Sequence, residues 1–306
     1  KAVVMDEDYN VMGQGITNSR SNYDIAAGVA KHEALIDTRF MLFRNAMKNV
    51  TALGDKYEAF MDELERNFRL EQYLEQLIDL DETCTKASEN TRYSEWGSDL
   101  SDALSGVFKR VTTEAPELFA PGAQRKSDFF RDIAGSQYST ISEEVAKQAE
   151  TPFDVLLNIY DRSIIEVENR IYTETTNQNL MRALDRTLVN LPDLAPVASE
   201  VRTEVEKVLG IDLEETYVIG TGYGRARLPF SKDHIRSEIL CHGLGAHIMY
   251  NDTRTVLDIG GQDTKAIQVD KDGIVESFQM NDRCAAGCGR YLGYIADEMN
   301  VGLHEL

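Results

Sequence analysis

Cysteine is scarce in this sequence, four residues in 306, which is too few to staple a chain of this length as a disulfide framework. Two of the four, Cys284 and Cys288, share one loop, and reduced thiols or a metal site fit that better than crosslinks. Positive charge is also in short supply. The chain has 32 Lys and Arg against 52 Asp and Glu, a formal net charge of −20, and a body so charged repels nucleic-acid backbones and anionic membrane surfaces. Long apolar runs are missing, since none approaches the roughly 20 residues needed to cross a bilayer. The opening "KAVVMDEDYN" has no basic-then-apolar secretion signal. The expectation is a cytoplasmic protein with neither a nucleic-acid nor a membrane partner. There is no fixed-period repeat and no low-complexity tract. What is present, 42% hydrophobic and 27% charged residues, suffices for a sizeable core and for two or more units.

The opening stretch sets Val3, Val4 and Met5 before a polar turn at Asp6 to Asn10, then Val11, Met12 and Ile16, which predicts a hairpin. From Tyr23 to Asn190 the texture becomes helical. Tyr57, Phe60, Met61, Leu64, Phe68, Leu74 and Leu77 fall near helical spacing, and so do Val155, Leu156, Ile159, Ile164, Val167, Ile171, Leu180 and Leu184. Pro116, Pro121 and the polar run near Trp96 read as loops between helices. After "LPDLAP" come a helix ("VASEVRTEVEKVLG"), a strand ("TYVIGTGYGR"), a helix ("HIRSEILCHGLGAHIMY"), two strands around "LDIGGQDTKAIQVD", and a last helix, "CGRYLGYIADEM". Strands alternating with helices predict an α/β sheet, which the opening hairpin is expected to join.

Four stretches carry candidate chemistry. In "LDIGGQDTKAIQVD", Asp258, Gly260, Gly261, Gln262, Asp263 and Thr264 form a glycine corner between two apolar strands. Such a corner can present successive N–H groups to a phosphate, with the nearby acids holding hydrated magnesium; a plain Gly-Gly hairpin is the commoner reading. The spacing to Lys265 is wrong for a Walker loop, and no helix follows. "GTGYGR" (220–225) is half of a dinucleotide fingerprint and reads more simply as a glycine turn. In "ILCHGLGAH", Cys241, His242 and His247 scatter around a helix, so a packed helix is preferred to a metal site. Glu238 precedes them and can point at the Asp258 turn. In "NDRCAAGCGRYL", Cys284 opens a helix among small residues that leave room for a bulky inorganic group, and Cys288 lies one turn along, either in reach as a second ligand or simply a small buried residue.

Taken in order, "TGYGR", "SEILCHGLGA", "TVLDIGGQDTKAI" and "FQMNDRCAAGCGRYL" closely resemble the ATPases that activate 2-hydroxyacyl-CoA dehydratases and the related subunits of ATP-dependent benzoyl-CoA reductase. The long helical segment looks like the larger benzoyl-CoA reductase subunit. The resemblance implies an α/β, actin-like (ribonuclease-H-like) ATPase fold with a large helical insertion. Residues 1–22 would be the first strands of the ATPase domain, 23–190 the insertion, 191–253 the remainder of the first subdomain, and 254–306 the start of the second. It implies ATP and Mg2+ at Asp258, Gly260, Gly261, Gln262, Asp263, Thr264 and Lys265. Glu238 would stand where such ATPases orient the attacking water. Cys284 would ligate a [4Fe-4S] cluster shared with a homologous ATPase subunit, with Cys288 as a second candidate. The electron would pass from a low-potential donor such as ferredoxin to acyl-CoA-binding reductase subunits. Lys1 resembles the lysine that ends the family's first phosphate loop, and the family's second cluster cysteine and adenosine segment would follow Leu306, so the expectation is a fragment. The competing readings are a dehydratase activator and an actin-like small-molecule kinase.

Overall fold

The computed structural model describes residues 1–18, 22–125, 127–149, 151–222, 224–261, 263–283 and 288–299, side chains 288–290 and 297 apart. Contacts divide the chain into two units, Lys1–Glu214 and Glu215–Leu306.

The first unit opens with the expected hairpin, β1 (Ala2–Met5) paired antiparallel to β2 (Val11–Gly15). Helix α1 (Tyr23–Met47) follows, capped by the Asn22 side chain, which accepts from the Asp24 and Ile25 N–H groups. The hairpin does not join a larger sheet, contrary to expectation: among the described residues β1 and β2 pair only with each other. A side chain has taken the place of a neighbouring strand, because the Gln14 N–H donates to the Asp37 carboxylate of α1 at 2.8 Å.

Five helices continue the unit: α2 (Tyr57–Ser88), α3 (Gly97–Leu118), α4 (Phe130–Ala146), α5 (Phe153–Val167) and α6 (Thr176–Asn190), with α7 (Ala198–Leu209) after them. The 32-residue α2 is the spine. Its first half puts Phe60, Met61, Leu64 and Phe68 into one core with α1, α6 and α7. Its second half puts Tyr73, Leu77, Leu80 and Cys84 into another with α3, α4 and α5. Burial pushes the Cys84 thiol up to about 12, so this cysteine behaves as an inert core residue. Pro116 lies inside α3 rather than in a loop; the helix ends two residues later, at Leu118, so the missing N–H falls in the last turn. The apolar pattern from Pro152 to Asn190 is likewise two helices, broken between Val167 and Thr176. The helical segment therefore builds its own packed layer.

The second unit holds α8 (Glu238–Met249) and a three-stranded antiparallel sheet of order β3–β4–β5, with β3 (Thr255–Ile259), β4 (Thr264–Val269) and β5 (Val275–Asn281), then α9 (Cys288–Met299). Among the described residues, the strand expected over "TYVIGTGYGR" is absent. That segment makes one parallel bridge, Gly220 to Ile235, and leaves Tyr217 and Ile219 exposed, having no flanking strand to pair with among the described residues. In β4, Lys265, Ile267 and Val269 alternate inward and pack toward α8. Helix α8 comes close because Gly243 has no side chain: a Cβ there would stand 2.7 Å from Val275 Cγ2 and 3.0 Å from Val269 Cγ1. Gly243→Ala is therefore expected to destabilise this unit by about 1–3 kcal/mol, measured by denaturant unfolding. A wild-type midpoint in the variant would contradict this packing.

Candidate functional site

Register brings the site together. The turn between β3 and β4 pairs Ile259 with Thr264, which sets Asp258 directly opposite Lys265 on the face toward α8. The Gly260 N–H donates to the Asp263 carbonyl at 2.8 Å and closes the corner. A Cβ at Gly260 would lie 2.8 Å from Asp263 Oδ1, so glycine here lets the Asp263 carboxylate fold back over the strand. Gly261 faces open space.

Lys265 is 3% exposed and sits among three carboxylates. Its Nζ is 2.8 Å from Asp263 Oδ1, 3.2 Å from Glu238 Oε1 and 3.3 Å from Asp258 Oδ2. Burial works against its charge, but Asp263, Glu238 and Asp258 outweigh that and hold the ammonium well above the ordinary lysine value. Burial also acts to raise Asp258, but hydrogen bonds and charge from His242 and Lys265 prevail and hold it below the usual carboxylate range. Glu238 and His242 stand four residues apart in α8, one helical turn, and so share a face. The ligand atoms of Glu238, His242 and Asp258 lie within 4.8 Å of one another.

Three carboxylates around one ammonium leave an excess of negative charge. A phosphate approaches such a place only with a cation between. The oxygen-rich donor set fits a hard divalent ion such as Mg2+ that keeps part of its water shell. Of the expected site residues, Glu238, Asp258, Gly260, Gly261, Asp263, Thr264 and Lys265 converge on this corner. Gln262 and Cys284 lie outside the described residues, and Cys288 is described only as the first residue of α9. The sequence groups His242 with Cys241 and His247 and favours simple packing for all three; they do not converge, but His242 meets Asp258 at 2.7 Å. Its signal is the four-residue spacing from Glu238. A cavity of about 870 Å3 lies in the first unit against Arg69, Tyr73 and Phe130, and no residue of this corner lines it.

No helix among the described residues is long and apolar enough to cross a membrane. The (R)-2-hydroxyglutaryl-CoA dehydratase activating ATPase of Acidaminococcus fermentans is 44% identical over 90 residues, 29% of this chain and 34% of that protein. One of the benzoyl-CoA reductase subunits of Thauera aromatica is 37% identical over 90 residues, 29% of this chain and 31% of that protein. Among solved structures, the activator of the 2-hydroxyisocaproyl-CoA dehydratase from Clostridium difficile with bound ADPNP is 39% identical, with 35% of this chain and 40% of that chain covered and a TM-score of 0.28. The chain thus spans about a third of the length of these curated relatives. A family match extends over residues 1–306, to the BadF/BadG/BcrA/BcrD ATPases. The α/β class of the ribonuclease-H-like ATPases, here expanded by helices, goes with that match. The chain belongs to the BadF/BadG/BcrA/BcrD ATPase family.

Proposed function

We propose that this chain forms part of an ATP-hydrolysing, electron-activating subunit. It would drive low-potential electrons from an iron–sulfur cluster shared between two protomers to an acyl-CoA reductase partner of the kind that dearomatises benzoyl-CoA. The observation that carries the reading is the Gly260–Gly261 corner with Asp258, Asp263, Glu238 and Lys265 gathered around it in a chain of ATPase lineage. In this reading Asp258 and Asp263 hold hydrated Mg2+, and the backbone N–H groups of Gly260 and Gly261 face the β- and γ-phosphates. Gln262, Thr264 and Lys265 flank them, and Glu238 orients the attacking water. Cys284 ligates the cluster, with Cys288 as the second candidate. Residues 1–22 and 191–253 serve the first ATPase subdomain, 254–306 the second, and 23–190 is a helical insertion. The partners are a homologous ATPase subunit, acyl-CoA-binding subunits and a donor such as ferredoxin, all cytoplasmic. An iron–sulfur cluster supplies one-electron transfer at a potential set by burial and hydrogen bonding.

A dehydratase activator is the second reading, favoured by the higher identity to the activating ATPase, 44% against 37% over 90 residues each. Intact protein purified without oxygen together with its partners separates the two. The reductase reading expects bound iron and reduction of benzoyl-CoA that stops when ATP is withheld. Dehydration of a 2-hydroxyacyl-CoA, with many turnovers per ATP and no reduction of benzoyl-CoA, would replace it with the activator.

A further inference from the structure

We infer that His242 is a positioning residue for the Asp258 carboxylate, fixing the orientation in which Asp258 meets the nucleotide's divalent ion; the inference rests on the ATPase reading above. The imidazole Nδ1 lies 2.7 Å from Asp258 Oδ2. An ionised carboxylate only accepts hydrogen bonds, so Nδ1 carries the proton and donates it. Lys265 Nζ reaches the same oxygen at 3.3 Å. Both donors thus fall on Oδ2, and among the described residues Oδ1 is left to metal or water. A carboxylate gripped through one oxygen by two donors from two elements cannot rotate freely. The other oxygen is therefore held in one direction before the ion arrives, which is the preorganisation a metal site gains from its outer hydrogen bonds.

The grip follows from how α8 is placed. Glu238 and His242 are one helical turn apart, so the helix that brings Glu238 to Lys265 also brings His242 to Asp258. Gly243, the next residue, has no side chain to hold α8 away from Val275, Val269 and Ile267 of the sheet. The His242 side chain is 42% exposed, so the fold does not need it for packing.

Binding of Mn2+ to the intact protein with a non-hydrolysable ATP analogue, followed by loss of the free Mn2+ signal in electron paramagnetic resonance, tests this without turnover. His242→Ala is expected to raise the half-saturating Mn2+ concentration about 10-fold or more. His242→Asn, whose side-chain amide N–H takes the place of Nδ1–H, is expected to recover most of that loss. The bound Mn2+ should show no nitrogen hyperfine coupling from an imidazole. Unchanged Mn2+ affinity in the alanine variant would overturn the inference, as would an asparagine variant as weak as alanine. So would a nitrogen coupling that disappears in His242→Ala, which would make the histidine a direct ligand. Wild-type protein that binds neither Mn2+ nor the analogue would overturn the ATPase reading itself.

Discussion

Replacing Lys265 with methionine is expected to destabilise the second unit by about 3 kcal/mol at neutral pH, the low end of the cost of removing one partner from a buried charge cluster. The low end applies because Glu238, Asp258 and Asp263 keep 26%, 25% and 28% of their side-chain exposure, so water relieves part of their repulsion. Methionine retains the stem that packs in the β4 face, so the change isolates the charge. The pH dependence carries the sign. Lys265 has a raised folded value, so its contribution is full below the unfolded lysine value, about 10.4, and is lost as pH rises through the folded one. Asp258 is depressed below 3.8. Its contribution is present above that value and is lost as pH falls through the folded one. Wild-type stability in this unit should therefore be flat through neutrality and fall at both extremes. In Lys265→Met the three carboxylates face one another unshielded and Asp258 loses one of the partners that depress it, so the deficit should shrink as the pH falls into the range where Asp258 takes up its proton. Equal unfolding midpoints for variant and wild type at pH 7 would show that the cluster is not held together by its ammonium.

Glu238→Gln is expected to lower the ATP hydrolysis rate of the intact protein by about 100-fold or more, the usual worth of a positioned general base, while nucleotide binding stays near wild type. Glutamine keeps the size and a polar contact to Lys265 but cannot take a proton from water. Glu238 is the first residue of α8 and is held at 3.2 Å from Lys265 Nζ, so its position is fixed by a residue of the strand that bears the glycine corner. Rate and affinity measured separately decide the role. Loss of affinity with an unchanged rate would make Glu238 a binding residue; no change in either would remove it from the site.

Much of this was legible in the residues because the patterns are local. The two apolar runs on either side of the Gly260–Gly261 corner gave β3 and β4. The apolar spacing from Phe60 to Leu77 gave the spine helix, and the change of texture at Tyr23 coincides with the start of α1. What was hidden depends on distant partners. Strand β5, "VESFQMN", has no clean alternation and shows itself only by pairing with β4. The apolar run at Tyr217 to Ile219 reads as strand, but pairing needs neighbours that the described chain does not bring to it. The isolation of the opening hairpin came from Asp37, 23 residues away, which satisfies the Gln14 N–H. His242 was hidden by company: beside Cys241 it suggested a metal site that helix geometry forbids, while its true partner lay 16 residues on in another element.

The most direct test of nucleotide chemistry at the glycine corner is one comparison, the Mg2+-dependent ATP hydrolysis rate of the intact protein beside its Asp258→Asn variant. With Asp258 among the groups that bring the divalent ion to the corner, the variant should hydrolyse ATP at least about 100-fold more slowly, in line with removal of a preorganised electrostatic contact, and excess Mg2+ should restore only part of the rate. A variant that hydrolyses ATP at the wild-type rate with the wild-type Mg2+ requirement would contradict the placement of nucleotide chemistry at this corner.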